Sequence, residues 1–585
     1  MIAFAIHRTI RKSYGVPSSP EHSVPRTGGR SAPAIETGRT RILMMVGLAV
    51  FAFTSICVRL VDLAMFQVAE EPATARAAYK AGVTTQRGDI VDRNGVLLAT
   101  NLTTASLYAK PNEISNGDEI ANQLATVLPD LDVQSVAAKL NGDGRFMWIR
   151  RNLTPRQQWR VNRLGQPGLD FQTEEARVYP QGALGAHLLG YADIDNKGLA
   201  GIEKAYDESL RTNRDPVQVS LDIRVQHVLR DELSRAVAEF AAVGAAGIIL
   251  NVKNSEVIAL VSLPDFDPNH PSDAADNQRF NRATLGVYEV GSTFKIFTTA
   301  IALDTGVVDL SGGYDATQPI RISRFTIRDF HPEARWLSVP EIFMHSSNIG
   351  AAKMALDFGG ETQRAYLSQL GLLDSLPIAL AETGAPMIPR PWRSINTMTI
   401  GFGHGIAISA LHLAAGAAAT INGGLYNPPT FVMGPHNASE TSPAGRRVFS
   451  EATSLKMRKL MRLVVEKGTG RKGAAPGYLV GGKTGTAETL SAGNYSSDRL
   501  LSSFVGAFPM NDPRYLVLVM LDSPKGNTKT KGFATGGWTA APVVSRVVQR
   551  MAPFVAIVPI DEGAPEVRRE LAIEITPKRL RLATY

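Results

Sequence analysis

An uncharged apolar run near the amino terminus limits what this chain can fold into more than any other feature does. Residues Ile42 to Val58 carry no charge, and the apolar character resumes after Arg59 as far as Phe66. This length suits one membrane-crossing helix, provided that the Arg59 guanidinium reaches the interface. Because only 44% of all residues are apolar and 20% are charged, a multi-span membrane protein and a disordered chain are both excluded. We therefore predict a single transmembrane anchor over residues 42–66.

The basic tail ahead of the anchor predicts its orientation. Residues 1–41 hold seven Lys or Arg and two Glu, so this segment carries +5 of the formal net charge of +8. The positive-inside rule keeps such a tail in the cytoplasm and places the chain from about Glu70 onward on the far side of the membrane. The charge therefore orients the protein and does not indicate nucleic-acid binding. A buried core helix is the alternative for the apolar run, although core helices are seldom apolar all round.

Residues beyond the anchor are predicted to form two domains and a tail. Residues 67–216 contain short strands, including a hairpin around Asn94-Gly95, and no catalytic constellation, so we interpret them as a non-catalytic stem. Residues 217–552 contain strand pairs near both ends and a mostly helical stretch between them, which indicates an α+β domain. Residues 553–585 indicate only a solvated basic segment. The predicted strands of the second domain cover residues 217–223, 246–252, 256–261, 502–508 and 515–521.

The first candidate for chemistry is Ser292-Thr-Phe-Lys295, at the start of a predicted helix that ends near Gly306. The serine hydroxyl and the lysine amine share one helix face at this spacing. A lysine accepts the serine proton only when it is neutral, so its pKa must lie well below the usual value of about 10.4, through burial or a second cation nearby. One such match is expected by chance in a chain of this length, so the motif alone is weak evidence.

Two further polar motifs follow it. Ser346–Asn348 lies in a joint between two predicted helices, where a hydroxyl can relay a proton and an amide can bind a peptide group; a helix cap is the alternative. Lys483–Thr486 combines a cation and two hydroxyls on a glycine-rich strand that can approach a ligand carboxylate. Residues Gly477 to Thr484 also match the phosphate-loop pattern. An ATPase is disfavoured, because the chain supplies neither a strand before this pattern nor a long helix after it.

The order and spacing of the three motifs carry more weight than any one of them. Ser346 follows Ser292 by 54 residues and Lys483 follows it by 191, and the set resembles the penicillin-binding serine acyltransferases. Two stem segments resemble the pedestal motifs of the class B penicillin-binding proteins, and three segments near the carboxyl end are similar to the cell-division members of that class. These segments are Arg87–Gly95, Gly201–Glu203, Ser503–Pro509, Asp522–Lys525 and Gly537–Pro542.

The resemblance implies a peptidoglycan D,D-transpeptidase of septal cell-wall synthesis. The implied fold is a penicillin-binding transpeptidase domain, an antiparallel sheet with a helical insert, on an elongated α+β stem with a dimerisation-like module. Ser292 is implied as the nucleophile, Lys295 as the general base and Ser346 as the proton relay. Lys483 is implied as the second positive charge that lowers the pKa of Lys295. The implied substrate-binding residues are Asn348, Thr484, Gly485 and Thr486.

The same resemblance implies partners and leaves alternatives open. It implies binding of peptidoglycan stem peptides and β-lactam antibiotics, contact with a SEDS-type glycan polymerase and other divisome membrane proteins, and no metal or organic cofactor. The one Cys among 585 residues separately excludes a zinc ribbon and an intramolecular disulfide. An elongation-specific class B transpeptidase and a D,D-carboxypeptidase share the motifs. A non-catalytic division scaffold or a β-lactam sensor is the alternative from a different class of protein.

Overall fold

The structure of this chain, a computed structural model, describes residues 44–45, 47–57, 87–212, 216–322, 325–434, 445–491 and 494–573. It divides into two compact units, Met1–Thr84 and Thr85–Tyr585. The described residues of the first unit are helical and exposed. Within the described ranges, no helix combines the length and the hydropathy that a membrane crossing needs. The predicted basic tail, residues 1–41, and the second part of the predicted anchor, residues 58–66, lie outside the described residues.

One long strand organises the stem. It pairs with three shorter strands in an antiparallel arrangement, and the sheet packs against three helices around the fully buried Leu107, Leu124 and Leu140. Its first pairing is the predicted hairpin, in which Gly95 has a φ of 82°. The strands are β1 (Ile90–Val91), the long β2 (Leu97–Ala109), β3 (Met147–Leu153) and β4 (Leu169–Val178), and the helices are α1 (Gly117–Val127), α2 (Val133–Leu140) and α3 (Pro155–Asn162).

A buried cluster of charges joins the first strand of the stem to its last helices. The Glu203 carboxylate accepts hydrogen bonds from Arg87 Nε and from Arg177 Nε, each at 2.7 Å. Arg87 also donates to Asp207 Oδ1 at 2.6 Å, so two arginines face two carboxylates. The chain needs this pairing because Arg87 and Glu203 are almost fully buried. Glu203 lies on α5 (Gly201–Ala205) and Asp207 on α6 (Asp207–Thr212), and a short helix, α4 (Ala186–Leu189), precedes them.

The second domain contains the remaining elements. Its strands are β5 (Val217–Gln218), β6 (Gly244–Asn251), β7 (Val257–Leu263), β8 (Val287–Tyr288), β9 (Gly313–Asp315), β10 (Ile320–Ile322), β11 (Phe325–Ile327), β12 (Trp336–Ser338), β13 (Ile408–Ser409), β14 (Leu425–Tyr426), β15 (Arg446–Arg447), β16 (Gly481–Ser491), β17 (Asn494–Phe508) and β18 (Tyr515–Asp522). Its helices are α7 (Ile223–Glu239), α8 (Asp276–Arg279), α9 (Lys295–Asp304), α10 (Val339–His345), α11 (Asn348–Gln369), α12 (Ser394–Ile400), α13 (Ala410–Ala419), α14 (Glu451–Glu466), α15 (Ala540–Met551) and α16 (Pro565–Leu571).

The centre of this domain is a five-stranded sheet in the order β16-β17-β18-β6-β7, with every neighbouring pair antiparallel. Two strands come from the start of the domain and three from its end, with helices inserted between them. The predicted α+β layout with a helical insert is therefore confirmed. β16, which carries the third motif, is at one end of the strand order.

Alternate residues of the central strands are buried on opposite faces of the sheet. Ile248 and Leu250 of β6 belong to the core shared with the helical insert, whereas Ile249 belongs to the core shared with α7 and α15. This alternation follows from the two-residue period of a strand. The sheet is thus covered by helices on both faces, and its other four strands hold β16 in a fixed position.

Some local predictions differ from the structure. The helix predicted after the Ser346–Asn348 joint runs from Asn348 to Gln369, but Gly359 has φ 80° and ψ 165°, so the helix is broken at this glycine. The strand predicted over residues 217–223 has only two residues, because Asp222 accepts the Arg224 N–H and caps α7. Both differences arise from capping and backbone geometry, to which hydrophobic periodicity is insensitive.

The segment after residue 552 packs on the second domain, where a solvated segment was predicted. Leu571 is only 5% exposed, and the Ile560 N–H donates to the Gly477 carbonyl at 2.8 Å. Glu562 accepts from Arg462 Nη2 at 2.7 Å. The basic residues Lys578–Arg581 lie outside the described residues.

Candidate active site

Ser292 lies in a tight turn just before the helix that was predicted to begin with it. Residues Gly291–Phe294 form a 3-10 turn, and α9 begins at Lys295. Gly291 has a φ of 56°, and a Cβ atom at this position would lie 2.6 Å from the carbonyl oxygen of Thr486. Its N–H donates to the Gly403 carbonyl at 3.2 Å. A glycine at this position therefore allows the Ser292 turn to approach β16 closely.

Lys295 Nζ lies at the centre of the first two motifs. It is 3.0 Å from Ser292 Oγ and 3.1 Å from Ser346 Oγ. It also donates to the Ser346 carbonyl oxygen at 2.6 Å and to Asn348 Oδ1 at 2.7 Å. A neutral amine has two N–H donors and one lone pair, and the two carbonyl oxygens use both donors. The lone pair is then left to accept a hydroxyl proton, which is the property that a general base for Ser292 requires.

Burial keeps the proton affinity of both active-site lysines low. Lys295 is 1% exposed, and its burial holds its pKa well below the usual value, with a further decrease from the positive charge of Lys483. The negative charge of Asp329 raises the pKa of Lys295 and so opposes these two effects. Lys483 is fully buried, and this burial lowers its pKa to about 7. The sequence argument required a neutral Lys295, and the surroundings in the structure favour that form.

Ser346 connects the two lysines. Its Oγ accepts a hydrogen bond from Lys483 Nζ at 2.9 Å, in addition to its contact with Lys295. A continuous path therefore runs from Ser292 Oγ through Lys295 Nζ and Ser346 Oγ to Lys483 Nζ. Ser346 has φ 63° and ψ 42° at the end of α10, a left-handed conformation that costs a non-glycine residue about 1–3 kcal/mol. The carbonyl contact with Lys295 holds the residue in this conformation.

The three residues of the joint between α10 and α11, Ser346, Ser347 and Asn348, have different roles. Ser347 is the helix cap, because its Oγ accepts the Gly350 N–H at 3.0 Å. This leaves the side chains of Ser346 and Asn348 free to face Lys295. Asn348 Nδ2 donates to the Arg328 carbonyl at 2.9 Å, so both polar atoms of its amide are held by the protein. Its second Nδ2 hydrogen stays available for a peptide carbonyl.

Sequence reasoning missed Asp329, which lies directly behind this joint. Its carboxylate accepts hydrogen bonds from Ser347 Oγ at 2.8 Å, from the Asn348 N–H at 2.5 Å and from the Ile349 N–H at 2.9 Å. Asp329 precedes the motif by 17 residues and belongs to the loop between β11 and β12. No periodicity or motif distinguishes it from Glu333, the other acidic residue of that loop.

The third motif lines β16 beside the Ser292 turn. Thr484 Oγ1 shares a 2.7 Å hydrogen bond with Thr469 Oγ1, and Thr486 Oγ1 accepts the Gly536 N–H at 3.1 Å. A Cβ atom at Gly485 would lie 2.4 Å from Ser503 Oγ, so this position has no room for a side chain. Thr469 and Gly536 were not predicted. The three motifs are therefore brought together at one place in the structure.

The phosphate-loop interpretation of the third motif is contradicted by its secondary structure. A phosphate loop leads into a helix whose first N–H groups bind the phosphates. Here Gly481–Ser491 is a strand, paired with β17 from Gly481 onward. Lys483 is directed to Ser346, where a phosphate-loop lysine would face a nucleotide.

Comparison with known proteins identifies the family. A model of the penicillin binding protein transpeptidase domain matches residues 245–549, and one of the penicillin-binding protein dimerisation domain matches residues 83–234. A curated protein of Caulobacter vibrioides, "Probable peptidoglycan D,D-transpeptidase FtsI", is 40% identical over 92% of this chain and 92% of its own length. The chain belongs to the class B penicillin-binding proteins of the FtsI type. The family that the motifs suggested is confirmed.

More distant members of the family share the same architecture. "Peptidoglycan D,D-transpeptidase FtsI" of Escherichia coli is 28% identical, covering 80% of this chain and 83% of that protein. The solved structure of penicillin binding protein 3 from Mycobacterium tuberculosis, complexed with aztreonam, matches 81% of this chain and 97% of its own. Its TM-score is 0.64 at 22% identity, so this likeness concerns the fold. The predicted combination of a transpeptidase fold with a stem domain is confirmed.

Proposed function

We propose that this class B penicillin-binding protein is a peptidoglycan D,D-transpeptidase that cross-links stem peptides in septal cell-wall synthesis through an acyl-enzyme on Ser292. One observation carries the residue assignment: the continuous contacts from Ser292 Oγ through Lys295 Nζ and Ser346 Oγ to Lys483 Nζ, with both lysines buried. The 40% identity to a protein named as a probable peptidoglycan D,D-transpeptidase supports the reaction class.

The first half of the reaction forms an ester on Ser292. Its Oγ attacks the carbonyl carbon of the penultimate D-Ala while its proton passes to the lone pair of Lys295 Nζ, 3.0 Å away. The backbone N–H groups of Ser292 and Thr486 stabilise the oxyanion that forms. The proton then reaches the departing amine of the terminal D-Ala through Ser346 Oγ, which is 3.1 Å from Lys295 Nζ. The peptide bond breaks and free D-Ala leaves.

The second half of the reaction transfers the acyl group. An amine from a neighbouring stem peptide attacks the ester carbonyl, and the new peptide bond forms as the ester bond to Ser292 Oγ breaks. The proton that the attacking amine loses passes through Lys295 Nζ to Ser292 Oγ, 3.0 Å away. Before acylation, the hydroxyls of Thr484 and Thr486 bind the carboxylate of the terminal D-Ala, and Gly485 allows the backbone of the donor peptide to lie close to β16. Asn348 donates its remaining N–H to the substrate peptide. β-Lactams acylate Ser292 in the same manner and stay attached.

A mass measurement tests the assignment of the nucleophile. After the full chain in detergent is mixed with benzylpenicillin, we expect the intact mass to rise by the whole mass of the β-lactam, because opening of the ring expels no leaving group. The Ser292→Ala variant, equally folded by circular dichroism, is expected to form no adduct. A folded parent without an adduct would refute the proposal and favour a division scaffold. An adduct that hydrolyses within seconds would indicate a hydrolase.

We also propose that residues 42–66 anchor the chain in the inner membrane, with the amino terminus in the cytoplasm and the second unit outside. The uncharged run from Ile42 to Val58 and the +5 charge of residues 1–41 support this topology. A SEDS-type glycan polymerase is the partner that we propose for this membrane-proximal part, because a cross-linking enzyme needs new glycan strands beside it.

Truncation tests the anchor and the partner together. Deleting residues 1–66 is expected to release the chain from the membrane fraction into the soluble fraction while benzylpenicillin still acylates it. Recovery of the truncated chain in membranes after an alkaline carbonate wash would contradict the anchor. Equal recovery of the polymerase with the full and the truncated chain in detergent pull-downs would contradict its contact with the anchor.

A further inference from the structure

Asp329 accepts hydrogen bonds from Ser347, Asn348 and Ile349, and it belongs to a loop that the three motifs do not include. One of its carboxylate oxygens accepts the N–H groups of Asn348 and Ile349, and the other accepts the Ser347 hydroxyl. The neighbouring Arg328 carbonyl accepts Asn348 Nδ2. The loop therefore fixes both the main chain at the start of α11 and the amide side chain that faces Lys295.

The joint held by Asp329 is strained on its other side. Ser346 has the left-handed backbone conformation described above, and its carbonyl and hydroxyl both contact Lys295 Nζ. A strained residue keeps its conformation only when its surroundings over-determine it. Lys295 holds this joint from the nucleophile side, and Asp329 holds it from the loop side. Asp329 is 9% exposed, so little water competes for its hydrogen bonds.

Asp329 is also the negative charge that acts on Lys295. Of the two charged groups that shift the Lys295 pKa, Lys483 lowers it and Asp329 raises it. A base whose pKa falls too far becomes a poor proton acceptor, so an opposing carboxylate preserves basicity in a site with two buried amines. The charged and titratable groups around Lys295 are Lys483 on β16, Asp329 on the β11–β12 loop, and His404, which is paired with Glu289 at 3.6 Å and is also influenced by Glu488.

We propose that Asp329 is a positioning residue for acylation, which holds the Ser346–Asn348 joint in its reactive geometry and places a negative charge close to Lys295. This inference rests on the proposed function, because it assigns Asp329 to the reaction of Ser292. Asp329 touches neither the nucleophile nor the substrate and acts through Ser347, Asn348 and Lys295.

Two substitutions separate the geometric role from the electrostatic one. Asp329→Asn keeps an oxygen for the two backbone N–H groups and a polar atom for Ser347 but removes the charge. Asp329→Ala removes both. The measurement is the second-order rate constant of acylation by benzylpenicillin, with the full chain in detergent, at pH values from 5 to about 10.

For Asp329→Asn, we expect the acid limb of the pH profile to move down by roughly 1 pH unit, because loss of a nearby opposite charge lowers the pKa of a lysine. For Asp329→Ala, we expect the same displacement and a maximal rate lowered about 10²-fold, because the joint is no longer held in place. Asp357→Asn is the matched control. Asp357 is an exposed residue of α11, the helix whose start Asp329 contacts, and it accepts a hydrogen bond from Tyr314 OH. Its variant should have the wild-type profile.

The outcomes distinguish the inference from the function on which it rests. If the folded Asp329→Asn variant is acylated with the acid limb of the wild-type pH profile, the electrostatic role is overturned. Asp329→Ala with a wild-type maximal rate would overturn the geometric role. A wild-type chain that benzylpenicillin does not acylate would refute the proposed function itself, and the inference with it. Thermal unfolding midpoints of all variants show whether a lowered rate comes from loss of the fold.

Discussion

Replacing Lys295 by Met is expected to lower the rate constant of acylation by benzylpenicillin about 10³-fold. Methionine has a similar length and fits a buried position, but it has no lone pair of comparable basicity to take the Ser292 proton. In the structure, no other amine of the described residues lies within hydrogen-bonding distance of Ser292 Oγ. Among the residues that the structure describes, Lys483 Nζ donates only to Ser346 Oγ and the Thr484 carbonyl, so it cannot substitute directly for Lys295.

The same variant should also alter how stability depends on pH. The pKa of Lys295 is lower in the folded chain than in the unfolded chain, so the unfolded chain binds more protons between these two pKa values. The lysine therefore destabilises the fold at pH 7, and this penalty fades as the pH rises toward the unfolded value of about 10.4. The free energy of unfolding of Lys295→Met, relative to that of the wild type, should thus be higher at pH 7 than at pH 10.

Urea unfolding of both chains at these two pH values checks the sign. The difference in free energy of unfolding, variant minus wild type, is expected to fall from pH 7 to pH 10. Lys353→Met is the matched control, because Lys353 lies on α11 and donates to the Asp315 carbonyl outside the site. Near-wild-type acylation of a folded Lys295→Met chain would exclude Lys295 as the base. An identical stability difference at both pH values would show that Lys295 is charged in the fold.

The fold of the second domain could be predicted to the extent that hydrophobic patterns report burial. The strands near residues 246–261 and 502–521 were identified because β6, β7 and β18 are buried on both faces and so form continuous apolar runs. Their order in the sheet was not predicted, since the register between distant strands depends on pairing that leaves no local signal. The packing of residues 553–573 was missed because it depends on single contacts such as that of Glu562 with Arg462.

The active site could be predicted where chemistry requires a residue type at a fixed spacing. Ser292 and Lys295 are one helical turn apart, so their proximity follows from the chain itself. That Ser346 lies between two lysines depends on tertiary packing, and only the resemblance to a family suggested it. Asp329 and Thr469 were missed for a related reason. Asp329 contacts the Ser346–Asn348 joint and Thr469 contacts Thr484 only in the folded chain, and neither residue type is unusual in a loop.

Replacing Glu203 by Gln is expected to lower the stability of the stem by about 3–5 kcal/mol, the usual cost of removing one partner from a buried ion pair. Glu203 is fully buried between Arg87 and Arg177. With Asp207 included, two positive charges face two negative ones. Glutamine preserves the shape and removes one negative charge, so an uncompensated positive charge is left in the interior.

Hydrogen exchange followed by mass spectrometry shows where in the chain Glu203→Gln loses stability. Because Arg87 ties the start of β1 to α5, peptides covering residues 87–101 and 201–212 are expected to lose protection first, while peptides of the central sheet keep theirs. Acylation of Ser292 in the folded fraction should stay at the wild-type rate, since no side chain of the cluster contacts the active site. Glu208→Gln, at an exposed position of α6, should change stability by less than about 0.5 kcal/mol. Unchanged protection of both stem segments in Glu203→Gln would mean that the two arginines find other partners, and that the cluster does not hold the stem together.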